Sequence, residues 1–181
     1  MRGSVLPFKP IRRGLRAFLT RALIVLMAIV GCGTALADGL TIGAPAPPLT
    51  LHSLDGRTIA ISDLRGKVVI LTFWASWCPS CRADLSLLSA YAAEHRAQGL
   101  EVLGFSLDNA DELPIVRRIA APLTFPVGLL GSAWAGDYGR IWRLPVSFVI
   151  DRDGLLRYDG WQNDDQELTE RQLNQIVGPL L

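Results

Sequence analysis

The pair Cys78 and Cys81 constrains this chain most, because two cysteines separated by two residues can close a disulfide ring or open to a dithiol with little backbone movement. The apolar run Val68–Trp74 before the pair is rich in β-branched and aromatic residues, which predicts a buried strand. The segment Ala83–Ala97 after it has apolar residues at helical spacing. Pro79 suits the first turn of a helix, where its missing N–H costs nothing. The sequence therefore predicts a strand–turn–helix unit with Cys78 at or near the helix N-cap.

This position determines how the two thiols are expected to react. Unpaired backbone N–H groups and the positive end of the helix dipole favour a thiolate at Cys78, and cysteines in such motifs have pKa values of about 3.5–7.5 instead of about 8.5. Cys81 lies one turn further into the helix, where this field is weaker. We expect Cys78 to attack and Cys81 to resolve, with Pro79 and Ser80 setting the redox potential. The alternative is a structural disulfide or two core cysteines, but a disulfide spanning two residues removes little chain entropy.

Residues 1–37 differ from the rest of the chain in charge. They hold six of the 18 Lys and Arg residues and none of the 17 Asp and Glu residues. A basic start, an apolar run from Ala22 to Val30 and small residues before Asp38 are typical of a signal peptide cleaved after Ala37. The alternatives are a lipoprotein processing site with Cys32 as the lipidated residue, or a retained N-terminal membrane anchor. The apolar stretch is short for a spanning helix, which needs about 20 residues. All three outcomes place the rest of the chain in the periplasm or elsewhere outside the cytoplasm, and two of them attach it to the membrane.

Residues 38–181 are predicted to form one domain, because their number is usual for a single hydrophobic core. Asp55-Gly56 and Asp153-Gly154 each separate two apolar segments and predict β-hairpins. The other predicted elements are a buried strand at Glu101–Leu107, a helix at Asp108–Ala121, a short strand at Phe125–Val127, a short helix at Trp134–Ile141, a strand at Val146–Asp151 and a C-terminal helix at Gln166–Leu180. The slightly acidic charge balance, without a basic stripe, argues against nucleic acid as a partner.

Asp84 and Pro145 are further candidate site residues. Asp84 stands three residues after Cys81, hence one helical turn along. A partly buried carboxyl there would have a raised pKa and could exchange protons with the resolving thiol, whereas a solvated Asp would only complement the helix dipole. Pro145 stands just before a predicted strand, which makes its peptide bond a candidate for the cis isomer. His95 lies over two turns from the cysteines and is expected to be a partly exposed helix residue instead of a base.

In order and motifs the chain resembles the thioredoxin superfamily, specifically its extracytoplasmic TlpA/ResA-like thiol–disulfide oxidoreductases. The matching segments are 43–47, 55–56, 64–67, 73–81, 125–127, 144–145 and 148–154. The resemblance implies an α/β fold, namely a thioredoxin-like three-layer sandwich with a central mixed β-sheet and an N-terminal β-hairpin extension. It implies a redox site made of Cys78 and Cys81 with supporting residues Trp77, Pro79, Ser80, Asp84, Leu144 and Pro145.

The resemblance also implies roles for single residues. Pro145 would be a cis proline facing the disulfide, and the backbone before it, at Leu144, would pair with a substrate strand. The active-site acid, a Glu in many relatives, falls on Asp84, whose side chain is one methylene shorter. Thr72 stands where thioredoxins have a buried Asp, as in the extracytoplasmic branch. Val146 stands where many cytochrome c maturation members carry a Glu, which weakens a specific assignment of apocytochrome as substrate.

The expected function is a cell-envelope thiol–disulfide oxidoreductase that acts mainly as a reductant of client protein disulfides, in cytochrome c maturation or copper-site assembly. A membrane thiol electron donor would regenerate the dithiol, and no cofactor beyond the redox-active disulfide and no resident metal are expected. The alternative is a carrier that binds Cu(I) or zinc with the same two thiolates. Two further hypotheses are a peroxidase, whose Thr-x-x-Cys motif the sequence lacks, and an interaction module with an inert disulfide.

Overall fold

A computed structural model of the chain describes residues 39–162 and 168–181. The predicted signal or anchor segment 1–37, including Cys32, lies outside these residues, so its boundary at Ala37 stays a prediction. The strands within them are β1 Thr50–His52, β2 Thr58–Ala60, β3 Val68–Trp74, β4 Leu100–Ser106, β5 Val127–Leu129, β6 Val146–Ile150 and β7 Leu156–Asp159. The α-helices within them are α1 Pro79–His95, α2 Leu113–Ala120 and α3 Glu170–Ile176.

The centre of the fold is a five-stranded mixed sheet in the order β5-β4-β3-β6-β7. β4 runs parallel to β3 and β5, and β6 runs antiparallel to β3 and β7. All seven residues of β3 are buried, as expected for a central strand covered on both faces. The carboxyl ends of the parallel strands β3, β4 and β5 meet at one edge of the sheet, which is the edge where open α/β sheets place their sites. The predicted mixed sheet is confirmed.

The two faces of the sheet are covered differently. Val68, Ile70 and Trp74 of β3 belong to an apolar cluster that also takes in side chains of α1, α2 and α3. The intervening residues of β3 belong to a second cluster, with residues of the β1–β2 hairpin and of the segment before β6. The alternation follows from the two-residue repeat of a strand. The three layers are therefore a helical layer, the sheet and a layer made of the hairpin and a largely irregular segment.

The predicted helix at Trp134–Ile141 is wrong. Only a 3₁₀ turn, Gly136–Tyr138, forms there. Gly136 and Gly139 adopt positive φ values of 57° and 84°, which a right-handed helix does not tolerate. The segment still contributes Tyr138 and Ile141 to the second core cluster.

The N-terminal hairpin packs against the sheet edge. β1 and β2 pair antiparallel around the predicted Asp55-Gly56 turn, and the amide of Leu54 donates to the carbonyl of Val127 at 2.7 Å. Gly128 allows this approach, because a Cβ there would lie 2.2 Å from the carbonyl oxygen of His52. The hairpin is thus fixed to β5 by a backbone contact that excludes any side chain at position 128.

The other three predicted helices form at their predicted positions, and α2 and α3 are much shorter than the sequence pattern suggests. α1 begins at Pro79, and the chain leaves its last turn through Gly99 at φ 87°. A 3₁₀ turn, Ala110–Glu112, precedes α2. α3 covers only Glu170–Ile176 of the predicted C-terminal helix. In the part of the chain that is described, no helix combines the length and apolar character needed to cross a bilayer.

Candidate active site

The two cysteines form a disulfide at the start of α1. Cys78 and Cys81 are bonded through their sulfur atoms, with 5.4 Å between their Cα atoms. Cys78 is the N-cap residue, with extended backbone angles, and its Sγ accepts a hydrogen bond from the amide of Cys81 at 3.2 Å. Pro79 occupies the first turn. The strand–turn–helix unit predicted from the sequence is confirmed, and the Cys81 amide in the first turn lies next to the Cys78 sulfur.

The two sulfur atoms differ in access. Cys78 is 6% exposed and Cys81 is completely buried. Cys78 lies in the wall of an open groove of about 330 Å³, together with Trp77, Pro79 and Ser80. An approaching sulfur can therefore reach Cys78, whereas Cys81 is reached only through movement of its surroundings.

The opposite wall of this groove comes from the segment before β6 and from the end of β4. It is formed by Leu107, Ile141, Trp142 and Leu144. Trp77 and Trp142 are 64% and 70% exposed, so two indole rings stand in solvent beside the disulfide. None of the residues lining the groove carries a formal charge in the oxidised state. The site is an uncharged depression with one accessible sulfur.

The peptide bond between Leu144 and Pro145 is cis. This conformation is the one that the resemblance implied. Leu144 lines the same groove as Cys78, while Pro145 is buried and lines a small cavity with Asp84 on the inner side. The structure thus brings Leu144 to the disulfide groove and Pro145 to the small cavity that Asp84 also lines.

Asp84 is almost completely buried, at 3% exposure. Its Oδ1 accepts a hydrogen bond from the amide of Leu168 at 3.1 Å. Arg143, Ser147 and Tyr158 line the same small cavity. Of the two sequence hypotheses for this residue, burial excludes the solvated dipole partner. Proton exchange with Cys81 stays a prediction.

Asp108 supports the site, although the sequence pattern indicates only that it begins a helix. It follows β4, is 1% exposed, and accepts hydrogen bonds from the amide and the hydroxyl of Ser76 at 2.8 and 2.6 Å. The hydroxyl of Ser106 also donates to it. Ser76 stands two residues before Cys78, so the buried carboxylate fixes the turn that leads from β3 into the disulfide. The available signal was an Asp directly after a buried strand that ends at the same sheet edge.

Thr72 and Ser147 form a second buried polar pair, below the site in the sheet. The Ser147 hydroxyl donates to the Thr72 hydroxyl at 3.1 Å across the β3–β6 pairing. Both residues are buried. The position at which thioredoxins carry a buried acid is therefore occupied by a neutral hydroxyl that has a partner. His95 is half-buried, packs against Tyr91 near the end of α1 and bonds to Gln98, as expected for a helix residue outside the site.

Among residues 39–162 and 168–181, no three His, Cys, Asp or Glu side chains come together in a way that could hold a metal ion.

The chain is similar to known proteins over most of its length. The AhpC/TSA family model matches residues 42–159. A thiol-disulfide oxidoreductase ResA from Bacillus thuringiensis (strain Al Hakam) is 31% identical over 144 residues, which cover 75% of this chain and 83% of the relative. A thiol:disulfide interchange protein DsbE from Allochromatium vinosum is 31% identical over 141 residues, covering 74% of each chain.

Solved structures of thiol:disulfide interchange proteins share this fold. A crystal structure from Chlorobium tepidum, provisionally described as a thiol:disulfide interchange protein DsbE, superposes with a TM-score of 0.64. It is 30% identical and covers 79% of this chain and 100% of its own. A second Chlorobium tepidum structure, of a thioredoxin family thiol:disulfide interchange protein, is 23% identical with a TM-score of 0.63. The thioredoxin-like fold with a mixed central sheet is therefore confirmed.

Proposed function

The chain belongs to the AhpC/TSA family and is a thiol–disulfide oxidoreductase, and from this premise we propose that its Cys78/Cys81 dithiol reduces disulfides of client proteins outside the cytoplasm. The observation that carries the proposal is the Cys78–Cys81 disulfide at the start of α1, with Cys78 in the wall of an open groove. A disulfide serving only as a structural link needs neither the N-cap position nor an opening to solvent.

The proposed reaction has two exchange steps. The Cys78 thiolate attacks one sulfur of the client disulfide, forms a mixed disulfide and releases the other client sulfur as a thiolate. The Cys81 thiolate then attacks the Cys78 sulfur, closes the Cys78–Cys81 disulfide and releases the second client sulfur. Two electrons pass to the client, and its two thiolates take up two protons. An external thiol donor restores the dithiol.

The assignment of roles rests on access and electrostatics. Cys78 is the more exposed sulfur, and it lies beside the amides of the first turn of α1, which stabilise a thiolate. Cys81 is buried, so its proton must be taken by a neighbouring group before it can attack. We assign that task to Asp84, which lies one turn along on α1 and is itself buried.

The groove also offers a place for the client backbone. Leu144, which precedes the cis proline, lies in the groove with Cys78. The backbone at Leu144 would pair with an extended client segment while the client sulfur bonds to Cys78. Such pairing aligns the three sulfur atoms, which thiol–disulfide exchange requires.

The proposal also includes a class of client proteins, an electron donor and a cellular location. The resemblance to TlpA/ResA-like oxidoreductases implies clients in cytochrome c maturation or copper-site assembly, and the relatives named ResA and DsbE support thiol–disulfide exchange as the reaction. A membrane thiol protein would then supply electrons. The basic and apolar residues 1–37 support export, through a cleaved signal, a Cys32 lipid anchor or a retained anchor.

Trapping and a redox titration test the proposal. A Cys81→Ser variant expressed in the native host should accumulate as a mixed disulfide with its clients through Cys78, and the Cys78→Ser/Cys81→Ser double variant should accumulate none. The isolated domain should reduce insulin, and its reduction potential should lie well below the value of about −120 mV typical of an oxidase such as DsbA. A potential near that value would reverse the proposed direction, and failure to reduce insulin would support an inert disulfide.

A further inference from the structure

The groove beside Cys78 carries a second feature that the exchange reaction does not use. Trp142 is 70% exposed, although an indole is a large apolar side chain. Free exposure of such a ring beside a reactive sulfur is a property of binding surfaces, where Trp is enriched among the residues that dominate affinity.

Trp142 is held in place despite its exposure. One face of its ring stacks on Trp161, with centroids 5.5 Å apart and planes 12° from parallel. Trp161 is anchored in turn, because its ring packs edge-on against the buried Phe148 and its indole N–H donates to the carbonyl of Tyr138 at 3.1 Å. The Trp142 ring is thus connected to the core through one stacked neighbour.

A cation lies beside this pair of rings. The Arg143 guanidinium lies 5.4 Å from the Trp142 ring centroid and 5.9 Å from that of Trp161. It also donates to the carbonyl of Gly160 at 2.6 Å, which ties the segment before β6 to the end of β7. Because Trp142 is already ordered, a ligand that covers it loses little side-chain entropy on binding.

The ligand that covers Trp142 can be inferred from the position of Trp142 in the same groove as Cys78. Trp142 and Cys78 line the same groove, so a polypeptide whose sulfur is bonded to Cys78 must lay the residues beside its cysteine over that groove. The groove walls carry no charge, and Trp77 faces the same space. A charged flanking residue would lose water there without gaining an oppositely charged partner among the residues that line the groove.

We propose that Trp142 is a specificity-determining residue that selects client disulfides flanked by aromatic or large apolar side chains. The inference rests on the proposed function, since it names the substrate class of the same site. It assigns to the ordered Trp142 ring the task of stacking against the flanking side chain while the Cys78 mixed disulfide forms.

The experiment measures anaerobic single-turnover rate constants of the reduced protein with three cyclic disulfide peptides. They are identical except that the residues beside both cysteines are Phe, Ala or Glu, and 2-hydroxyethyl disulfide serves as a small substrate that cannot cover the groove. Each peptide rate constant is divided by that of the small disulfide for the same variant. This ratio removes differences in thiol reactivity between variants.

We expect the wild type to prefer the Phe peptide over the Ala peptide by about tenfold, the size of effect that a buried interfacial Trp commonly supplies. Trp142→Ala and Trp142→Leu should lower this preference below about threefold, and Trp142→Phe should keep most of it. Trp134→Ala is the matched control, because Trp134 is 63% exposed but does not line the groove, and it should retain the wild-type preference. Thermal melting verifies that each variant is folded, and Trp142→Leu keeps apolar bulk if Trp142→Ala does not fold.

Four results would overturn the inference. Equal rates for the Phe and Ala peptides in the wild type would show that the groove does not select, while the proposed function would stand because both peptides are reduced. An unchanged preference in Trp142→Leu, or an equal loss in Trp134→Ala, would show that Trp142 is not the residue responsible. Failure of the wild type to react even with 2-hydroxyethyl disulfide would refute the proposed function, and the inference with it.

Discussion

Replacing Asp108 should loosen the turn that carries the disulfide and destabilise the whole domain. In Asp108→Ala the buried Ser106 hydroxyl loses its acceptor, and the amide and hydroxyl of the half-buried Ser76 lose theirs. A buried polar group left without a partner costs about 1–3 kcal/mol, and the Ser76 groups are partly compensated by water. Removing the buried charge also removes its own desolvation cost. We therefore expect a net loss of about 2–4 kcal/mol in the free energy of unfolding.

This loss corresponds to a fall of about 5–15 °C in the melting temperature for a domain of this size. Asp108→Asn should lose less, since its amide oxygen can still accept from the Ser76 amide. The exposed Asp111 is the matched control, and Asp111→Ala should change the free energy of unfolding by no more than about 0.5 kcal/mol. Urea unfolding and thermal melting give these values, and hydrogen exchange at the Ser76 amide reports the local effect. A melting temperature within about 2 °C of the wild type in Asp108→Ala would show that the hydrogen bonds to Asp108 do not stabilise the domain.

Three other predictions concern buried pairs, pH and metal. Thr72→Val should lower the free energy of unfolding by about 1–3 kcal/mol because it leaves the Ser147 hydroxyl unpaired in the sheet, and Ser147→Ala in the same chain should restore much of the loss, as a double-mutant cycle in urea can show. Burial alone would raise the pKa of Asp151, but the Leu155 amide and the Arg157 guanidinium hold that pKa below its usual value. The ionised Asp151 carboxylate therefore stabilises the fold above the unfolded pKa of about 3.9, and this stabilisation is lost as the pH falls through the lower folded pKa. The free energy of unfolding should consequently fall more steeply with acid in the wild type than in Asp151→Asn. Titration of the reduced protein with Cu(I) or Zn²⁺ against a competing chelator should show no tight binding, and tight stoichiometric binding would favour the carrier hypothesis.

Local sequence signals predicted the part of the fold that local physics determines. The β-branched run Val68–Trp74, Pro79 in the first helical turn and Gly99 after the last turn each act within a few residues, and the structure confirms all three. The cis bond before Pro145 followed from the resemblance, since spacing alone only made it a candidate.

The parts that the sequence did not predict depend on contacts between distant residues. The role of Asp108 requires Ser76, which is 32 residues away, and the burial of Asp84 depends on Leu168, which is 84 residues away. The helix expected at Trp134–Ile141 does not form for a local reason, because Gly136 and Gly139 take positive φ values. The ordered exposure of Trp142 depends on Trp161, which comes from beyond β7.

The most direct measurement of the central claim is the rate of alkylation of each thiol in the reduced soluble domain as a function of pH. We expect Cys78 to react much faster than Cys81 at pH 7, and its alkylation rate to reach half of its limiting value below the pKa of about 8.5 of an ordinary cysteine. Mass spectrometry of the alkylated peptides assigns each rate to one residue. Equal and slow alkylation of Cys78 and Cys81 at neutral pH would contradict the claim that the start of α1 holds one sulfur ionised for attack.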